Sequence, residues 1–172
     1  MTIMNTIKLF SLSLGAVISL TSGSFAQESD ATANAPTAGS SGWGVQCNTT
    51  ADGLQCSASL TVVSSPDNQR IISLSFQEGA GDAQPTLVMH LPFGLNLPRG
   101  VDLTVDDGEA QTFTINTCLQ TGCFVVQESE NALIQAMKAG NLVTVSMESS
   151  NGAETRLQVS LAGFAAAMER LN

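Results

Sequence analysis

His90 is the single histidine of the 172-residue chain, and it is the first place to look for hydrolytic chemistry. A histidine relay needs a nucleophilic Ser or Cys and a carboxylate beside it. The run Val88-Met89-His90-Leu91 supplies neither, so His90 reads as a strand-face residue. Asp102, Asp106 and Glu109 are the next candidates, because neighbouring carboxylates can share acid–base work in a secreted hydrolase. The same run, Asp102-x-x-x-Asp106-Asp107-Gly108-Glu109, invites a calcium reading, since Ca²⁺ takes clustered oxygen ligands. It lacks the alternating Asp/Asn spacing of an EF-hand loop, and Asp-Asp-Gly is also an ordinary polar turn. Zinc would want clustered imidazole and thiolate, which one histidine and oxidised cysteines do not provide. The reading is a non-enzymatic protein with no catalytic residue, metal or cofactor. A carboxylate-dependent secreted hydrolase and a calcium-stabilised envelope module are its alternatives.

Cys47, Cys56, Cys118 and Cys123 all follow an N-terminal segment that looks like a secretory signal. Lys8 precedes an apolar run from Leu9 to Leu20, and Ser24-Phe25-Ala26 forms a cleavage signature, so cleavage is expected after Ala26. The run is shorter than the roughly 20 residues a membrane span needs. Export brings the thiols to an oxidising compartment and predicts two disulfides in a periplasmic or secreted protein. Four cysteines allow three pairings. Cys47 with Cys56 and Cys118 with Cys123 are favoured, because each pair flanks a turn-rich stretch between strands. Cys118-x-x-x-x-Cys123 also departs from the Cys-x-x-Cys spacing of thiol exchange and reads as a structural clip.

Six Lys and Arg face fifteen Asp and Glu, and removal of Lys8 with the signal leaves five against fifteen, a net charge of −10. Such a surface repels phosphate backbones, so nucleic acid is a poor partner. A protein or envelope partner is expected instead, and the chain should not span a membrane. Asn48-Thr49-Thr50 matches a glycosylation sequon, which carries meaning only if the host is not bacterial.

The elements that must position these residues are mostly strands. Residues 27–42 are small and polar and read as a flexible leader, with order beginning at Trp43. From there short runs alternate apolar and polar residues with period two. Strands are predicted at Trp43–Cys47, Cys56–Val62, Arg70–Phe76, Thr86–Leu91, Val101–Val105, Gln111–Cys118, Cys123–Gln127, Leu142–Met147 and Thr155–Leu161. Asp52-Gly53, Asp106-Asp107-Gly108 and Asn151-Gly152 mark hairpin turns. One helix should start after a Ser129 cap and stop at a left-handed Gly140; a second should run from Gly163 to Leu171. The fold class is mostly β: an antiparallel sandwich or compact barrel of about nine strands with two short helices, one domain over residues 43–172.

Leu91-Pro92-Phe93-Gly94-Leu95-Asn96-Leu97-Pro98-Arg99-Gly100-Val101 breaks the pattern. Two prolines forbid ladder bonding at their positions, so the segment is a shaped connection whose leucines should dock on the core. Taken in order, Trp43-x-x-x-Cys47, Cys56, Leu91-Pro92-x-Gly94-x-x-Leu97-Pro98-x-Gly100-Val101, Val105-Asp106, Cys118-x-x-x-x-Cys123 and Ser160-Leu161-x-Gly163-Phe164-x-x-Ala167 resemble the invasion-associated locus B family of exported bacterial proteins. The resemblance runs from about Gly42 to the C-terminus. It implies an exported, disulfide-bonded β domain with an interaction role in host-cell association, and it brings no catalytic residues. Trp43, Pro92, Gly94, Pro98, Gly100, Gly163 and Phe164 are its motif positions, structural or binding.

Overall fold

A computed structural model describes residues 38–40, 42–50, 53–79, 81 and 83–171. Residues 1–26, read from the sequence as a signal, most of the residues read as a leader, and Asp52 of the expected first turn lie outside the described residues. Eleven strands are described: β1 (Ala38–Ser40), β2 (Gly44–Thr50), β3 (Gly53–Ser64), β4 (Arg70–Gln77), β5 (Thr86–Leu91), β6 (Val101–Val105), β7 (Gln111–Phe113), β8 (Thr117–Leu119), β9 (Gly122–Glu128), β10 (Leu142–Glu148) and β11 (Glu154–Ser160). The helices are α1 (Asn131–Ala139) and α2 (Phe164–Glu169).

The strands form two antiparallel sheets. One runs β1-β3-β4-β5-β9-β8, with β2 also paired to the long β3; the other runs β11-β10-β6-β7. This is a sandwich, not a closed barrel. Period-two alternation does the sorting: Leu60, Val62, Ile72, Leu74, Phe76, Leu87, Met89 and Val125 from the first sheet are buried, as are Val101, Leu103, Phe113, Val143, Val145, Leu157 and Val159 from the second. Their alternate neighbours, such as Ser73, Ser75, Thr144 and Gln158, are at least partly exposed. Each buried large apolar side chain contributes roughly 1.5–3 kcal/mol relative to leaving it exposed.

The structure corrects four details of the sequence reading. The expected strand Gln111–Cys118 is two, because β7 pairs with β6 in one sheet while β8 pairs with β9 in the other. At the switch, Asn116 donates its N–H to the Phe124 carbonyl (2.8 Å) and accepts the Val126 N–H on its side-chain oxygen (2.6 Å). Order begins before Trp43, since β1 pairs with β3 through backbone bonds that need no apolar side chain. Ser129 does not cap α1; it is buried, and both its N–H and its hydroxyl donate to the Pro85 carbonyl. Gly140 ends α1 in an extended conformation (φ −81°, ψ 171°) rather than a left-handed one. Its small size matters instead, because a Cβ there would lie 2.6 Å from Val105 Cγ1.

Trp43 seals one end of the core. Its ring meets Phe164 edge-on at 4.7 Å between centroids and Phe76 at 6.1 Å, and Phe76 meets Phe164 at 5.2 Å. Its indole N–H donates to the Ser160 carbonyl at 3.0 Å, so the polar end of the ring is satisfied where it would otherwise be stranded. Gly163, with φ +88°, turns the chain from β11 into α2 so that Phe164 can enter this cluster. Replacing Trp43 with Ala is expected to cost about 2–4 kcal/mol, and Trp43→Phe about 1 kcal/mol for the lost hydrogen bond alone. Urea unfolding followed by circular dichroism checks the order of the two; an undiminished stability in Trp43→Phe would show that the indole N–H contributes nothing.

Candidate functional site

Both disulfides close as favoured, Cys47–Cys56 and Cys118–Cys123, and among the described residues no cysteine is free. Each joins directly opposed residues of a hairpin, Cys47 with Cys56 across β2 and β3 and Cys118 with Cys123 across β8 and β9. The sulfurs therefore act as clips between neighbouring strands. No reactive thiol arises from them.

His90 sits half-buried on β5, stacked on Phe124 with ring centroids 4.3 Å apart. Its Nε2 lies 2.8 Å from the Thr121 carbonyl and 2.9 Å from an Arg70 guanidinium nitrogen, which itself reaches the same carbonyl at 3.3 Å. These contacts fasten the turn between β8 and β9 to the sheet. Gly122 makes room for them: a Cβ at this residue would fall 2.4 Å from the Leu91 carbonyl and 2.7 Å from His90 Nε2.

The three carboxylates singled out from the sequence have separate tasks. Asp102 accepts from the Thr112 hydroxyl at 2.6 Å and from Arg99 at 2.7 Å. The Thr112 hydrogen bond, and after it the Arg99 bond and charge, hold the Asp102 carboxyl below its usual range against the opposing cost of burial. The same ion pair raises Arg99. Asp106, at φ +48° in the turn after β6, accepts the N–H groups of Leu142 (2.9 Å) and Asn141 (3.1 Å), so it caps the start of β10. Glu109 is exposed on the wall of an open groove of about 740 Å³ between α1 and the β6–β7 hairpin, where Asp106 and Glu130 also lie. Among the described residues, no three His, Cys, Asp or Glu side chains converge as a metal site would require. A general acid needs a carboxyl raised toward neutrality, and Asp102 is shifted the opposite way.

What stands apart is the connection from β5 to β6. Gly94, at φ +83°, offers its carbonyl to the Ser150 N–H (2.7 Å), Leu95 bridges Ser149, and Asn96 donates its N–H to the Glu148 carbonyl (2.8 Å) and its side-chain amide to the Glu148 carboxylate (2.7 Å). The loop is thereby fastened to the tip of the β10–β11 hairpin. Pro98 sits inside a single 3₁₀ turn, Leu97–Arg99, and Gly100 follows with φ +74°, packed so closely that a Cβ would lie 2.4 Å from the Phe113 carbonyl. Leu95 packs on the core, but Leu97 is 44% exposed and Phe93 58%. The expectation that the segment's leucines dock inward therefore holds for Leu91 and Leu95 and fails for Leu97, which the bonds to the hairpin tip leave on the outer side. Phe93, flanked by Pro92 and Gly94, is an exposed aromatic on a braced loop. Its type and its Pro-x-Gly setting were visible in the sequence; its outward direction was not.

The motif positions thus fall into two groups. Trp43, Gly163 and Phe164 form the plug at one end of the core; Pro92, Gly94, Pro98 and Gly100 shape the loop. Asp102 generates a pH prediction. Its folded pKa lies below its unfolded value, so it adds stability above about pH 4 and loses it as acid titrates through the folded value. Asp102→Asn is expected to cost about 1–2 kcal/mol at pH 7. Urea unfolding at several pH values should show that gap closing below about pH 4; a gap constant from pH 7 to pH 3 would contradict the ionised network.

Comparison with known proteins gives a consistent picture. The model of the family described as "Invasion associated locus B (IalB) protein" matches residues 43–172. Invasion protein B homologs from two strains of Brucella abortus, strain 2308 and biovar 1 strain 9-941, are each 28% identical over 130 residues, spanning 75% of either chain. Neither is named as an enzyme. The crystal structure of invasion associated protein B from Bartonella henselae superimposes with a TM-score of 0.66 at 24% identity, covering 75% of this chain and 89% of that one, and so shares its fold.

Proposed function

The chain belongs to the invasion associated locus B family, and from that premise we propose that it is an exported, non-enzymatic interaction domain of the bacterial envelope or cell surface. The observation that carries the reading is the braced loop with Phe93 and Leu97 turned to solvent. Aromatic and aliphatic side chains held outward on a rigid support lose little entropy on docking. Most other groups suited to chemistry are engaged in holding the fold, namely two disulfides, the Asp102 network, the Asp106 cap and the His90 tie, and Glu109 lies exposed. Two closed disulfides and the apolar segment after Lys8 support an extracytoplasmic location, periplasmic or secreted. The names of the relatives, invasion protein B homologs, support an invasion-related role.

Two measurements test this. Fractionation with intact-mass analysis should place the protein outside the cytoplasm, beginning at Gln27 and with no free thiol. A reduced cytoplasmic form carrying residues 1–26 would refute export. The double substitution Phe93→Ser with Leu97→Ser should leave the unfolding free energy within about 1 kcal/mol, since neither side chain is part of the buried core. It should abolish retention of the purified protein on envelope fractions or host-cell surfaces. Unchanged retention would remove the loop from the interaction.

A further inference from the structure

We infer that β2 is a strand-addition edge through which two copies of this chain pair, antiparallel, about a two-fold axis at Cys47. This goes beyond the proposed function and stands or falls independently of it.

Exposed sheet edges are ordinarily guarded by brevity, charge, proline or a bulge. The other edges follow the rule: β1, β7 and β8 are three residues each, and β11 carries Glu154 and Arg156 and has its Ser160 carbonyl occupied by Trp43. The edge formed by β2 does not. Its sequence, Gly44-Val45-Gln46-Cys47-Asn48-Thr49-Thr50, has no charge and no proline, its register with β3 is unbroken, and every residue but Val45 is exposed. Within the described residues, no main-chain group of β2 bonds to any element other than β3.

The direction of its free hydrogen-bonding groups follows from three observations. Cys47 and Cys56 lie 4.0 Å apart at Cα, the spacing of a pair that does not exchange main-chain bonds. The Cys56 carbonyl faces the other way and accepts the Glu78 N–H at 3.1 Å. Thr50 and Gly53 close the hairpin around two residues, as a bonded pair does. Bonded and unbonded pairs alternate, so Val45, Cys47 and Thr49 point their N–H and C=O groups outward.

A second β2 laid antiparallel with Cys47 opposite Cys47 sets Val45 against Thr49 on either side and makes about six main-chain hydrogen bonds. Gln46 then faces Asn48 of the second copy, twice. Two copies of so acidic a chain repel, and this edge brings no carboxylate against another. The disulfide suits the purpose: past Ser57, where pairing with β4 begins, β2 and β3 are a two-stranded ribbon, and the Cys47–Cys56 bond keeps an added strand from peeling it apart. The contact is smaller than the roughly 800 Å² per partner of a standard interface, so the dimer should be reversible and concentration-dependent.

Sedimentation equilibrium of the chain secreted into the periplasm of an expression host tests the pairing. The expected result is a monomer–dimer equilibrium. Gln46→Asp with Asn48→Asp opposes acids twice across the axis and should weaken the dimer roughly tenfold, while Gln46→Lys with Asn48→Asp opposes unlike charges and should strengthen it. All these positions are exposed, so the circular dichroism spectrum should be unchanged. A wild-type chain monomeric at every concentration overturns the inference, as does a dimer indifferent to both pairs of substitutions.

Discussion

Two sheets can share one core only where the chain crosses between them without leaving main-chain groups unpaired in an apolar interior. That constraint organises this molecule. The crossing from β5 to β6 is solved by a loop that lends its carbonyl and amide groups to the β10–β11 tip, and by Gly100, which lets the backbone pass against the Phe113 carbonyl. The return from β7 to β8 is solved by Asn116, whose side chain takes the place of a missing ladder partner on Val126. The third crossing, from β9 to β10, is made through α1, and Trp43 and Phe164 close the end of the core that remains.

Much of this was legible in the sequence because strand alternation reports burial directly. Leu60, Val62, Ile72 and Leu74 lie inward as their spacing predicts, and each cysteine pair joins the two strands its turn brings together. Where the reading failed, the deciding bond was remote in sequence. Phe113 and Ile115 continue one alternating pattern and are both buried, so nothing local marks the change of sheet between them. Ser129 has the chemistry of a helix cap, but a carbonyl at Pro85, 44 residues away, claims its hydroxyl. Gly140 looks like a left-handed stop and is there because Val105 leaves no space.

The candidate site was less legible than the fold. The Pro-Gly loop was conspicuous in the sequence; which side chains it turns outward depends on a hairpin more than 50 residues downstream. The carboxylates show the converse. Asp102 and Asp106 have the residue type and spacing for acid–base chemistry, yet each has a three-dimensional partner set that makes it an acceptor for fixed donors.

The two disulfides are separated by nine and five residues, and they are consecutive along the chain rather than interleaved. For a polypeptide threaded across a membrane with its N-terminus leading, each cysteine therefore meets its proper mate before the next pair emerges. On such a route an oxidase would suffice for correct pairing, without an isomerase to undo wrong choices, and the local clips would close in order of emergence whether or not the rest of the sandwich had assembled.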